Sequence, residues 1–189
     1  MMKPTQANRR IAVTTPLGDD VLLVRRFSVS EQLGRLFQIQ LDLVSTEFEI
    51  DFDAITGQNI TLRIDLPLGG ERYFNGYVSR FTQSGADENF AHYQATVVPW
   101  LWFLTRRADC RIFQSTMDNP PDTMTVPGIV KKVFKDAGFH DFEDRLSMSY
   151  PNWDYCVQYR ETDFNFVSRL MEQEGIYYYF EHVDGKHTL

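Results

Sequence analysis

Phe37, Ile39, Leu41 and Leu43 alternate with Gln38, Gln40 and Asp42, and Ile60, Leu62, Ile64 and Leu66 repeat the same period of two. That period belongs to strands with one face in a core. Residues 11–15, 21–29, 72–83 and 92–98 also read as strands, punctuated by Thr15-Pro16-Leu17-Gly18 and by the hairpin signal Gly69-Gly70. Residues 53–57 read as one helical turn. Within 72–83, Tyr73, Tyr77 and Phe81 are four apart and are expected on one face. Gly76 between them marks a bulge or a close backbone approach. Short strands at regular spacing with glycine turns predict a barrel or sandwich. The expectation is an N-terminal β-barrel domain over residues 1–105.

From Pro99 the pattern changes. Trp100, Leu101, Phe103 and Leu104 suggest a helical turn packed under the barrel, and residues 110–114 return to a strand. Residues 115–122, with Asn119-Pro120-Pro121-Asp122, read as a loop or linker. A helix is predicted near 127–137: Thr125 caps it, Ile129, Val130, Val133, Phe134 and Ala137 form its apolar face, and Gly138 stops it. Residues 144–152 are rich in turn formers. A strand–helix–strand unit follows. Residues 155–160 form the first strand, and Thr162 caps a helix near 163–174 with Asp163 in its first turn. Phe164, Val167 and Met171 line one face of that helix, and Gly175 supplies its left-handed stop. Residues 176–182 read as a strand, sending Tyr178 to one side and Tyr177 and Tyr179 to the other.

The fold class expected is mixed β and α+β: the barrel, then an α/β domain with two helices over residues 106–189. Asp184-Gly185 marks a hairpin turn, and residues 187–189 begin the return strand. A chain seldom stops three residues into a hairpin arm, since the unpaired edge is a liability. The sequence therefore reads as the N-terminal piece of a longer protein, with its second domain incomplete at the C-terminus.

Composition narrows the function classes. Of the net charge of −7, residues 1–100 carry −3 and residues 101–189 carry −4, with no basic patch. That argues against nucleic acid or an anionic membrane as main partner. No run approaches the length of a membrane helix, and the polar start, residues 1–10, is followed by no apolar stretch of a signal peptide. The expectation is a chain made in the cytoplasm, with no lipid-embedded segment, that leaves the cell only by a route reading no N-terminal signal. Cys110 and Cys156 stand in no CxxC or Cys/His cluster and read as buried or half-buried free thiols.

A search for chemistry singles out no catalytic, cofactor-binding or metal-binding residue. Glu172 and Glu174 point to different sides of a helix end, and Glu161 and Asp163 flank a helix start where acids suit the dipole. His182 and His187 lie across the predicted hairpin with no third ligand, and read as surface histidines beside a turn. His92 and His140 have no local partners, and Ser147 and Ser149 lie in no GxSxG context. Arg106, Arg107 and Arg111 form the one basic cluster, suited to a carboxylate-rich partner or to a solvated strand edge. The expectation is a protein that is not an enzyme and carries no cofactor.

Four segments carry a resemblance: Phe74-Asn75-Gly76-Tyr77-Val78, the stretch from Pro99 through Arg111-Ile112-Phe113-Gln114, the stretch 126–134, and above all 155–180. In these the chain resembles the VgrG family, the spike proteins of type VI secretion systems. The resemblance implies a phage-hub-like portion in which three chains form a ring of barrels. That hub adapts the Hcp hexamer tube to a puncturing needle carrying a PAAR tip protein and effectors. It implies a homotrimer for the full-length protein, tip and effector contacts through a part beyond this sequence, and secretion by the type VI system without a signal peptide. This segment alone is expected to be a monomer or weak oligomer. The same pattern suits the hub of a contractile phage tail, such as the late control protein D group. A cell-wall hydrolase is the third reading, and no residue constellation supports it.

Overall fold

The structure, a computed structural model, describes residues 4–114 and 124–189. The expected linker at 115–122 lies outside the described residues. The chain divides into two compact units: residues 1–99 with 180–188, and residues 100–179 with Leu189.

The first unit is built on six antiparallel strands: β1 (Ile11–Thr14), β2 (Leu23–Ser30), β3 (Gln38–Ser45), β4 (Asn59–Asp65), β5 (Glu71–Ala86) and β6 (Ala91–Val98). They form one sheet in the order β1-β4-β5-β6-β3-β2. The sheet curls into a half-barrel, with β1 and β2 brought near each other at its ends. The alternation in β3 works as predicted, with Ile39, Leu41 and Leu43 buried beneath exposed Gln38 and Gln40. Each such side chain contributes about 1.5–3 kcal/mol by leaving water. Phe37, Leu62, Phe74, Val78, Phe81 and Tyr93 join the same core.

Strand β5 corrects one expectation. Val78 pairs with Val97 and Phe81 with Ala95, so the register slips by one residue between Val78 and Arg80. That bulge reverses the alternation beyond it. Phe81 therefore shares the inner face with Phe74 and Val78, not the face of Tyr73 and Tyr77. Gly76 is the close approach its position suggests. A Cβ there would stand 2.8 Å from both Val97 Cγ1 and the Val98 carbonyl oxygen.

The second unit opens with a 3-10 helix (Trp100–Arg106), followed by β7 (Ala108–Gln114), α1 (Val126–Asp136), β8 (Tyr155–Thr162) and α2 (Asp163–Gln173). Both helix caps form where predicted. Thr125 Oγ1 accepts the Gly128 N–H at 3.2 Å, and Thr162 Oγ1 accepts the Asn165 N–H at 3.1 Å. Gly175, at φ +69°, ends α2. Trp100 stacks on Phe139 and meets Phe134 edge-on, while its Nε1–H donates to the Asp141 carbonyl. Strands β7 and β8 form an antiparallel ribbon, and Phe113 of the ribbon stacks on Phe166 of α2.

The strand expected over 176–182 is shorter than its composition suggests. Among the described residues the ladder begins only at Glu181, as β9 (Glu181–Val183) pairs with β10 (Lys186–Thr188) around Asp184-Gly185. Residues 176–180 run outside any ladder. The Ile176 N–H closes the end of α2 on the Met171 carbonyl instead. The tyrosine alternation survives without a sheet, because Tyr178 is buried while Tyr177 and Tyr179 are exposed. The expected division at 105/106 differs from the compact units chiefly here. The β9–β10 hairpin packs with the first unit, through polar contacts made 107 and more residues upstream.

Candidate functional site

Three constellations in the described residues stand out from ordinary packing. The first is polar and buried beneath the hairpin. Pairing of β5 with β6 begins at Tyr77, so residues 71–76 have β4 on one side only among the sheet strands. The hairpin covers that bare side. His182 Nδ1 accepts the Asn75 backbone N–H at 3.0 Å, and His182 Nε2 lies 3.0 Å from Glu31 Oε1. Asn75 Nδ2 donates to Asn59 Oδ1, Thr61 Oγ1 and the Ile60 carbonyl. Its Oδ1 consequently faces His187 Nδ1, at 2.8 Å. The Gly185 N–H donates to Thr61 Oγ1 at 3.1 Å. Burial pushes the His182 pKa below its ordinary value, against the pull of Glu31.

Both histidines were expected at the surface. They are instead directly paired across the hairpin, with the His182 side chain 6 % exposed and His187 2 % exposed. The physical reason is Asn75. A buried amide and a bare strand edge need partners, and two imidazoles supply an acceptor and a donor without a fixed charge. Phe37 packs edge-on against both rings. No local sequence signal links residues so far apart in the chain.

The second constellation stands at the start of α2. Asp163, 1 % exposed, is held by Arg111 Nη2 and Gln158 Nε2 at Oδ1, while Arg107 Nε stands 3.7 Å from Oδ2. Arg111 Nε also donates to Gln158 Oε1. Two of the three clustered arginines thus meet a carboxylate of their own chain. Asp163 is a buried ion-pair partner rather than only a dipole-suited helix acid. The neighbouring Glu161 takes Arg169 Nη2 at 2.6 Å.

The third is the outer face of the β7–β8 ribbon. The inner face carries Phe113, Cys156 and Gln158, all buried. The outer face presents Cys110, Ile112, Tyr155, Val157 and Tyr159, with Ile112 opposite Val157 and Cys110 opposite Tyr159. Ile112 is 59 % and Tyr159 65 % exposed. Contiguous apolar surface of this kind marks interaction sites. Cys110, expected to be at least half-buried, is exposed here; its Sγ accepts the Arg160 N–H. Cys156 is buried, and burial raises its thiol pKa.

The acids and bases weighed from sequence do not converge. Glu172 is exposed at the end of α2, and Glu174 is half-buried beyond it. His92 Nε2 meets Asp87 Oδ2 in the β5–β6 turn, where this bond and the N–H groups of Asn89 and Phe90 hold the Asp87 carboxyl down at about 2. Among the described residues, no group of three or more His, Cys, Asp or Glu is placed to hold a metal ion, and no helix is long and apolar enough to cross a membrane.

Of the three constellations, the apolar outer face of the ribbon is the one that marks an interaction surface, and comparison with known proteins shows where the chain belongs. The type VI secretion system spike protein VgrG1c of Pseudomonas aeruginosa is 51% identical over 185 residues, 98% of this chain and 24% of that protein. This chain therefore spans about a quarter of the relative's length. Among solved structures, the Escherichia coli c3393 protein superposes with a TM-score of 0.72 at 25% identity. The match covers 88% of this chain and 47% of that one. That protein is described as a type VI secretion component similar to the T4 bacteriophage tail proteins gp27 and gp5. A 43 kDa tail protein of prophage MuSo2 from Shewanella oneidensis shares the fold, with a TM-score of 0.59 at 16% identity over 94% of this chain and 51% of that one. The model of the phage tail baseplate hub family (GPD) matches residues 30–189, and the chain belongs to that family.

Proposed function

We propose that this chain is hub material of a type VI secretion spike, working as a homotrimer that adapts the Hcp tube to the needle delivering effectors. The observation that carries the reading is the ribbon's outer face. Ile112, Tyr155, Val157 and Tyr159 lie on a rigid, paired scaffold, in a chain whose relatives include named spike proteins. In a multi-chain hub such a face is covered by a neighbouring copy. No catalytic step is assigned to the chain. PAAR and effector contacts belong, on this reading, to polypeptide outside these residues. The protein would be made in the cytoplasm and leave through the type VI apparatus itself.

Light scattering on the full-length native protein tests this. A trimer is expected, and Val157→Asp with Tyr159→Asp should dissociate it while leaving the circular dichroism spectrum unchanged. A monomeric native protein, or a trimer indifferent to both changes, would overturn the reading. The 189-residue chain alone is expected to be a monomer or weak oligomer. Co-sedimentation with assembled Hcp tubes tests the adaptor role.

The family's phage members and the shared fold of the MuSo2 tail protein favour a second reading, the hub of a contractile phage tail. Neighbouring genes separate the two: sheath and Hcp-like genes in one case, capsid and tail-fibre genes in the other.

A further inference from the structure

The hairpin's grip on β5 depends on where His182 keeps its proton. The Asn75 N–H points at Nδ1, so Nδ1 offers its lone pair and the ring proton sits on Nε2, toward Glu31 Oε1. A second proton has only Nδ1 to occupy. There it meets the Asn75 N–H head-on, and the acceptor becomes a second donor. His187 differs. Its Nδ1–H donates to Asn75 Oδ1, and a proton added at Nε2 leaves that bond intact. The two rings lie 6.0 Å apart, so charge on either opposes charge on the other.

We infer that the β9–β10 hairpin is an acid-released cover on the bare side of β5, seated while His182 is neutral and unseated when His182 takes up a second proton. The surroundings fix the direction. Glu31, from the loop after β2, favours the protonated ring, and Arg72 of β5 opposes it while itself lying 3.5 Å from Glu31. The hairpin adds His187. Strand β3 is preceded by Phe37, β4 presents Asn59 and Thr61, and β5 presents Phe74, all uncharged. Burial outweighs Glu31, and the ring's folded pKa lies below 6.5. Docking therefore releases a proton. Its stabilisation is full at neutral pH and is lost as pH falls through the folded pKa. Acid then bares the Asn75 N–H and the edge of residues 71–76.

Amide hydrogen exchange by NMR on the intact chain, from about pH 7.5 to about pH 5, tests this, each rate being divided by its intrinsic value. Protection of the Asn75 and Gly185 amides should fall about tenfold or more, tracking the titration of the His182 ring, while the Leu41 amide in β3 keeps its protection. His182→Gln presents an acceptor and a donor but no titration. It should keep the neutral-pH protection and lose the pH dependence. Glu31→Gln should move the midpoint to lower pH, and it serves if His182→Gln fails to fold. Protection at Asn75 and Gly185 that ignores pH would overturn the inference. So would a pH dependence that survives His182→Gln, or a midpoint that Glu31→Gln leaves in place.

Discussion

Gly76 and Val97 stand on neighbouring strands with no room for a methyl group between them: a Cβ on Gly76 would sit 2.8 Å from Val97 Cγ1 and equally close to the Val98 carbonyl oxygen. Gly76→Ala should cost about 1–3 kcal/mol, since a paired backbone carbonyl cannot step aside as a side chain can. Thermal melts of Gly76→Ala, Val97→Ala and the double variant check this. The double variant should regain only part of the loss from Gly76→Ala, because the carbonyl clash remains.

Gly175 presents the opposite case. Nothing lies within 4 Å of a Cβ built there, yet φ is +69°. Gly175→Val should lose more than about 1 kcal/mol through backbone strain alone. Gly175→Asn should lose clearly less, because Asn tolerates the left-handed region. Equal melting temperatures for the Val variant and the parent would mean that α2 ends without a left-handed residue.

Among the described residues Asp163 is the buried carboxylate of the second unit, and Arg111 is its nearest cation. Asp163→Ala leaves a mostly buried guanidinium with Asp109, 3.6 Å from Nε, as its remaining counter-charge, and losing the charge-assisted bond should destabilise by about 1.5–3 kcal/mol. Replacing both partners, as Asp163→Ala with Arg111→Met, should cost less than the sum of the two single changes. Urea denaturation read as a double-mutant cycle measures that coupling. Additive losses would show the pair to be energetically independent.

Asp87 should titrate with a midpoint near 2, against an ordinary value of 3.8. A depressed carboxylate favours the folded form above its unfolded pKa and loses that contribution as pH falls through the folded pKa. His92→Asn removes the first cause of the depression, and the midpoint followed by carboxyl-carbon NMR should rise. An unmoved midpoint would assign the depression to the Asn89 and Phe90 N–H groups alone.

What could be read from the sequence was what neighbours in the chain decide. Thr125, Thr162, Gly138 and Gly175 act within a few residues of themselves, and each helix starts or stops where they stand. The alternation in β3 needs only one wet face and one dry face. The failures came where a distant residue overrides the pattern. A slipped register beside Ser79 turns Phe81 away from Tyr73 and Tyr77, and nothing in the local sequence marks the extra residue. His182 and His187 look like surface residues beside a turn until Asn75 is found against them. The ribbon's outer face was legible only as apolar residues, because its exposure depends on what packs behind it. The VgrG resemblance, carried chiefly by residues 155–180, was legible because that unit combines several such local signals.

The placement of the last hairpin has a consequence for synthesis. Asn75 leaves the ribosome 107 residues before His182 does. At roughly 5–20 residues per second, that is a wait of about 5–20 s. Through that interval the half-barrel can collapse on its own core, but the bare side of β5 stays open to any strand that reaches it. A nascent hub chain is thus most vulnerable to mispairing after its first unit has condensed and before its second is complete. Polysomes, which hold several such chains at successive stages of growth side by side, bring chains with that edge still open close to one another.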